Sequence, residues 1–184
     1  MSRSTSIGWP FVLKIRLAAI PVRIHWSVLL AAPIGWAFTR DSIAAVTIFV
    51  SFILLMLAHE FGHALMAKRI RLRVSHIDVY ALHGACHYMN LAGPNSIEHY
   101  IVSWGGIVVQ IILLIIFGSA YTFVIMTSSR TMDHLAPIIF VFTWLNLLLL
   151  VGNALPLPRL DGYYAWRLIR PLLNGEVQNR WRRS

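Results

Sequence analysis

Two histidines and one glutamate stand within the sequence HEFGH, from His59 to His63. On a helix, side chains four residues apart project from one face, which is the spacing that two imidazoles need to bind one zinc ion. Glu60 lies beside them and is placed to act on a zinc-bound water rather than to bind the metal. The surrounding stretch is strongly apolar, and an ionisable side chain inside a bilayer is costly. The pattern therefore predicts a hydrolytic metal site within a membrane helix, with polar packing between helices as the weaker alternative.

A catalytic zinc site also needs a third protein ligand and one open position. Apart from Glu60, most of the acidic residues lie in predicted loops or at the edges of apolar stretches: Asp41, Asp78, Glu98, Asp133 and Glu176. Asp161 remains, in the sequence NALPLPRLDGYY. The prolines predict a helix that unwinds after Asn153, with Asp161 on a tight turn before Gly162. Asp161 is therefore the predicted third ligand.

Four apolar stretches are predicted to cross about 30 Å of hydrocarbon. They cover residues 24–38, 42–67, 97–126 and 135–155, and the first is the shortest and contains Pro33. The composition agrees, since 58% of the residues are hydrophobic and only 12% are charged. These stretches predict an all-α membrane protein with about four transmembrane helices.

The basic residues give this topology an orientation. Of the 16 lysines and arginines, only Arg40 and Arg130 fall on one side of the four predicted spans. The positive-inside rule then places both termini, and the loop between the second and third spans, in the cytoplasm. Because the charges stand at the ends of apolar stretches, the net charge of +9 indicates membrane orientation and contact with anionic lipid rather than nucleic-acid binding. The second and fourth spans end on the same side, which brings Asp161 to the depth of the histidines.

Residues 72–94 lack a spanning run and alternate in places, which predicts a membrane-associated β-hairpin that turns near His83 and Gly84. An edge of this hairpin is a predicted pairing site for an extended peptide segment, which would bind as an added strand. Within the hairpin, HGACH invites a second metal site at His83, Cys86 and His87. A hairpin separates these side chains, so that interpretation is the weaker one.

The chain is predicted to have three segments. Residues 1–23 form a cytoplasmic N-terminal segment, residues 24–162 a membrane-embedded domain, and residues 163–184 an interfacial helix with a basic C-terminal tail. The sequence YYAWRLIRPLL after Gly162 mixes aromatic residues with arginines, which is typical of a helix at the membrane surface.

HEFGH and NALPLPRLDG together resemble the paired motifs of the site-2 proteases, intramembrane zinc metalloproteases that cut transmembrane substrates. The second motif matches the family pattern Asn-x-x-Pro-x-Pro-x-Leu-Asp-Gly in register. The resemblance implies a three-helix catalytic core in the second to fourth spans, with one zinc ion held by His59, His63 and Asp161. It implies transmembrane proteins as substrates and the lipid bilayer as surroundings. Without a PDZ module or paired CBS repeats, the sequence resembles a prokaryotic cell-membrane member, for which a separate membrane protein is a plausible regulator.

One motif departs from that family. Its middle helix carries a Gly-Gly-Pro-x-x-Asn-like sequence, whereas this chain has GGIVVQ from Gly105 to Gln110. Gln110 stands in the place of the asparagine and is a candidate donor to a developing oxyanion. Asn153 is a candidate for orienting substrate or zinc ligands, with helix capping or interhelical bonding as an equal alternative.

The predicted activity is hydrolysis of peptide bonds within or next to transmembrane segments, with Glu60 as general base. Two other classes stay open. A catalytically silent relative that binds transmembrane segments is favoured only by Gln110. A membrane metal carrier predicts several ligand clusters along one pore, whereas the polar residues here converge at one depth.

Overall fold

The structure is a computed structural model that describes residues 11–81, 83–127 and 132–175. The strands are β1 (Phe11–Leu17), β2 (Ile20–His25), β3 (Arg73–Val79) and β4 (Gly84–Met89). The helices are α1 (Ala32–Thr39), α2 (Ser42–Arg69), α3 (Ile97–Thr127), α4 (Met132–Phe140), α5 (Asn146–Ala154), α6 (Asp161–Ala165) and α7 (Ile169–Leu173). Short 3-10 turns precede α1 and α7, and a π-helical turn, Val141–Leu145, joins α4 to α5. Several basic residues used above lie outside the described residues: Arg3, Arg130, Arg180, Arg182 and Arg183.

Three helices in the described part of the chain are long and apolar enough to cross a membrane. They are α2, α3 and the continuous helix formed by α4, the π turn and α5. Large apolar side chains on them are exposed on the isolated chain, including Ile43, Ile115 and Leu148. A soluble protein rarely exposes so much apolar surface, so these faces are suited to lipid. The predicted three-helix core within a mostly helical membrane protein is confirmed.

The first predicted span, residues 24–38, is not a single helix long enough to cross a membrane. The apolar helix there, Trp26–Ala37, is shorter than the roughly 20 residues that a crossing needs. Residues 24 and 25 belong instead to β2, and the His25 side chain accepts a hydrogen bond from the backbone N–H of Ser27, so that helical structure begins at Trp26. Helix α1 packs beside the N-terminal part of α2, where Gly35 approaches Ala45.

The predicted hairpin is confirmed and is half of a larger sheet. The four strands lie in the order β1-β2-β3-β4, with β2 and β3 parallel and the other pairs antiparallel. The two N-terminal strands were missed because their turn, at Ala18 and Ala19, has positive φ angles without the Asn-Gly or Asp-Gly sequence that usually announces such a turn. The boundary predicted after residue 23 therefore falls within β2, and residues 11–23 belong to the sheet.

An ion pair fastens β2 to β3. Arg23 donates hydrogen bonds from Nε and Nη2 to the two carboxylate oxygens of Asp78, each at 2.6 Å. Burial acts to raise the pKa of Asp78, but Arg23 outweighs it and holds that pKa below its usual range. The carboxylate is therefore a fixed negative charge within the sheet.

The sheet lies against the half of α2 that carries HEFGH. Val22 of β2 and Ile77 and Val79 of β3 are fully buried in one cluster with Met56 and Leu57 of α2. Within the sheet β2 and β3 have neighbouring strands on both sides, whereas β1 and β4 are its edges. The sheet is thus brought directly beside the three polar residues of HEFGH.

Helices α2 and α3 approach most closely where two glycines face each other. A Cβ added at Gly105 would overlap the backbone carbonyl of Gly62, and one added at Gly62 would overlap that of Gly105. Small residues at a crossing let two membrane helices pack backbone against backbone. The GG sequence therefore determines how closely α3 packs against α2, the helix that carries the two histidines.

We expect Gly105→Ala to lower the free energy of unfolding by about 1–3 kcal/mol, because the new methyl group must push two backbones apart. Gly118→Ala is the matched control on the same helix, since nothing lies within 4 Å of the added Cβ there. That control is expected to be neutral or to gain up to about 1 kcal/mol from helix propensity. Chemical denaturation in detergent measures both, and equal stabilities would contradict the close crossing.

Candidate metal centre

The histidines of HEFGH and Asp161 come together although they are about a hundred residues apart in the chain. Nε2 of His59 lies 3.0 Å, and Nε2 of His63 3.2 Å, from Oδ2 of Asp161. The two Nε2 atoms are 3.1 Å apart. Three donor atoms thus form one compact triangle.

This donor set fits a tetrahedral zinc ion. Ligands at 2.0–2.2 Å from zinc lie roughly 3.3–3.5 Å from one another, close to the observed separations. Nδ1 of His63 lies 2.9 Å from the backbone oxygen of Val102 and donates to it, which leaves Nε2 as the ring nitrogen for a metal. Nδ1 of His59 is buried with no hydrogen-bond partner among the described residues. Glu60 lies beside these donors, with a carboxylate oxygen within 4.8 Å of a ring nitrogen of each histidine.

Asp161 is held in place by the end of the third long helix. Helix α5 ends at Ala154, the prolines that follow keep the chain irregular, and Asp161 is the first residue of α6. Two tryptophans anchor α6 and its surroundings: Trp104 of α3 donates to the oxygen of Ala165 at 2.9 Å, and Trp166 donates to the oxygen of Ala154 at 2.7 Å. Burial acts to raise the pKa of Asp161, but His63 and His59 outweigh it and hold that pKa well below its usual range.

Gly106 makes room for both imidazoles. A Cβ added there would overlap the rings of His59 and His63. The two glycines of the GG sequence therefore contact different groups. Gly105 faces the backbone of α2, whereas Gly106 faces the two imidazole rings.

Glu60 is 5% exposed and is enclosed by β4. A Cβ added at Gly84 would overlap its side chain, and the backbone of Cys86 is close to its carboxylate. The start of β4 thus fixes the position of the Glu60 carboxylate beside the donor triangle. The sequence predicted the hairpin but not this contact.

The two predicted amide residues contact each other. Gln110 is 1% exposed, and its Oε1 accepts a hydrogen bond from Asn153 at 3.2 Å. Its backbone oxygen accepts another from Asn146 at 2.9 Å. Gln110 and Asn153 also line the cavity that holds the donor triangle. The structure therefore brings both to the site and shows them tying α3 to α5.

The cavity has a volume of about 380 Å³ and is lined by α2, α3, β4 and the segment around Asp161. A pair that sequence reasoning missed lies in its wall: the hydroxyl of Tyr88 is 2.5 Å from Nδ1 of His99. Tyr164 packs edge-on against His99, with ring centroids 4.4 Å apart. These residues stand in no motif, and they come from three elements, β4, α3 and α6, that meet only in the folded chain.

The residues of HGACH do not form a metal site. His83 stacks on Tyr80 with centroids 4.8 Å apart, whereas Cys86 faces the α2 cluster, where burial raises the pKa of its thiol to about 12. His87 points to the other face of the sheet, towards Asp78. The strand alternation separates the three side chains, as the hairpin predicted.

Comparison with known proteins identifies the class of fold. No family model and no curated protein sequence matches the chain. Its structure is similar to that of a site-2 protease from Methanocaldococcus jannaschii, with a TM-score of 0.55 and 20% sequence identity, covering 86% of this chain and 72% of that chain. The fold is therefore similar to that of this site-2 protease, which agrees with the resemblance inferred from the two motifs.

Proposed function

We propose that the chain is an intramembrane zinc metalloprotease that hydrolyses peptide bonds within or next to transmembrane segments of other proteins. The convergence of His59, His63 and Asp161 on one point beside Glu60 carries the proposal. In this assignment the three residues hold one zinc ion, which supplies Lewis-acid activation of water and of the scissile carbonyl.

Glu60 is the general base in this mechanism, and the chain prepares it for that role. Its carboxylate, fixed by Gly84 and Cys86, takes a proton from the attacking water and passes one to the leaving amine. Gln110 and Asn153 are proposed to bind the substrate or to stabilise developing negative charge, with their mutual hydrogen bond orienting the two amides.

A substrate segment is proposed to enter as an added strand on β4. Among the described residues β4 pairs only with β3, so its outer edge offers unpaired backbone groups, and Gly84–Cys86 of that strand line the cavity. We expect that replacing residues 73–89 with a flexible linker abolishes cleavage of a model transmembrane substrate. Unchanged cleavage by a folded variant would contradict strand addition.

The proposed setting is a prokaryotic cell membrane that the chain crosses several times, with both termini and the site towards the cytoplasm. The distribution of basic residues supports this orientation. The sheet joins β1 and β2 to the loop between α2 and α3, so these elements lie on one side together. Proposed partners are transmembrane substrates, lipid and a separate regulatory membrane protein, without nucleic acid. Residues 24–162 are the proposed protease domain, followed by a surface helix and basic tail over residues 163–184.

Bound metal tests the proposed site. We expect the protein, purified in detergent and dialysed against metal-free buffer, to retain close to one zinc ion per chain by mass spectrometry. Asp161→Ala should lose that zinc because it removes a ligand, whereas Glu60→Gln should keep it and lose peptide hydrolysis. Absence of zinc from a well-folded wild-type protein would overturn the proposal in favour of a catalytically silent relative.

A further inference from the structure

A second group of metal-binding side chains lies on the face of the sheet that is turned away from α2. Ile77 and Cys86 pack towards α2, so their strand neighbours His76, Asp78 and His87 share the opposite face. Nε2 of His76 lies 3.5 Å, and Nε2 of His87 3.4 Å, from Oδ2 of Asp78. The three donor atoms all lie within 4.8 Å of one another.

An irregularity in β3 brings the two imidazoles together. Val74 pairs with Tyr88, but the next paired residue is His76, opposite His87, so Ser75 is an extra residue in β3. In a regular ladder His87 would face Ser75. The bulge instead stacks the two rings, with centroids 4.3 Å apart and planes inclined by 20°.

Neighbouring polar groups orient two of the three donors. The hydroxyl of Ser75 lies 2.8 Å from Nδ1 of His76, which leaves Nε2 facing Asp78. Metal-binding histidines almost always have such a partner on the other ring nitrogen. Arg23 holds the carboxylate with one hydrogen bond to each oxygen, and each oxygen keeps a second lone pair for another partner. The Asp78 side chain is 4% exposed and that of His87 is 49% exposed. The carboxylate is therefore buried, whereas His87 is accessible to a metal ion from solvent.

We propose that His76, Asp78 and His87 form a second metal site for a divalent transition-metal ion of the zinc class. Two imidazole nitrogens and one carboxylate oxygen suit zinc, and also cobalt, nickel and copper, better than calcium or magnesium. The charge of Arg23 opposes a cation, so this site binds less tightly than the donor triangle of His59, His63 and Asp161. Binding clamps β4 to β3 from the side opposite Glu60. Any effect of this clamp on Glu60 depends on the proposed function, whereas zinc binding at the second site does not.

The test removes the site formed by His59, His63 and Asp161, which we call the inner site, and supplies zinc alone. Calorimetric titration of zinc into the detergent-purified His59→Ala, Asp161→Ala double variant is expected to show one equivalent bound. Adding His87→Ala, or His76→Ala, to that variant is expected to abolish the binding. Adding His83→Ala is the matched control, since this histidine of the same hairpin stacks on Tyr80 and should leave the titration unchanged.

Two results would overturn the second site. One is no zinc binding by the folded double variant, and the other is binding that survives both His76→Ala and His87→Ala. Should the double variant fail to fold, zinc counted at saturation in otherwise wild-type protein decides the matter. His87→Ala is then expected to hold one equivalent fewer than wild type, and equal counts would refute the site. Loss of the inner zinc in Asp161→Ala is a separate readout, so either site can fail without the other.

Discussion

Gly106→Ala is expected to abolish retention of zinc by the dialysed protein, with an affinity loss of about 100-fold or more, at the upper end of what changes around a ligand cause. The added methyl group would occupy the space of the His59 and His63 rings. Imidazole rings can rotate away at lower cost than helix backbones can move. The variant should therefore fold with displaced ligands. Zinc content by mass spectrometry, with thermal unfolding as a check of the fold, measures the effect.

Gly118→Ala is the control for the substitution itself, because it adds the same methyl group to the same helix in open space. It should retain zinc as wild type does. Comparison with Gly105→Ala separates the two glycines of α3, since Gly105→Ala acts first on helix packing and Gly106→Ala first on the ligands. Full zinc retention by Gly106→Ala would refute the assignment of His59 and His63 as ligands in the observed rotamers.

Much of the site was predictable because its parts are short-range patterns. The spacing of His59 and His63 is a property of any helix, and the prolines before Asp161 dictate where the third long helix ends. Charge distribution then allowed Asp161 to be matched to the histidines in depth. Each step relied on local geometry or on the cost of polar groups in lipid, and the structure brings these residues within hydrogen-bonding distance of one another.

The parts that escaped prediction depend on pairing between distant segments. The parallel pairing of β2 with β3 joins residues more than fifty positions apart, and no local pattern announces it. No local pattern announces the contact of Gly84 with Glu60 or the pair Tyr88 and His99 either, although these residues are closer in the chain. The bulge at Ser75 also shifts which residues face each other, so strand alternation alone does not place His76 opposite His87.

The predicted first span shows how one missed element alters another. Taken alone, residues 24–38 are apolar enough to resemble a transmembrane helix. Strand β2 takes the beginning of that stretch into the sheet, where Val22 and Ile24 pack in the cluster against α2. The helix that remains, Trp26–Ala37, is correspondingly shorter than the predicted span.

The start of β4 is expected to matter for catalysis as much as Glu60 itself. Gly84→Ala should lower the rate of peptide hydrolysis by about 10²–10⁴-fold, the usual contribution of a general base, while zinc stays bound. An added Cβ at Gly84 would overlap the Glu60 side chain and displace its carboxylate. The backbone of Gly84 has no positive φ angle, so alanine is compatible with the strand. Cleavage of a model transmembrane substrate, together with zinc content, measures the effect.

A double variant decides whether Gly84 acts through Glu60. If it does, Gly84→Ala combined with Glu60→Gln should cleave no more slowly than Glu60→Gln alone, because residues that act as a unit are not additive. A further loss of the same size in the double variant would show that Gly84→Ala disturbs substrate binding at the edge of β4 instead. Unchanged cleavage by Gly84→Ala alone would mean that the Glu60 carboxylate does not need the position it has against β4. The comparison thus separates two proposed roles of β4, which are to position the Glu60 carboxylate and to pair with a substrate segment.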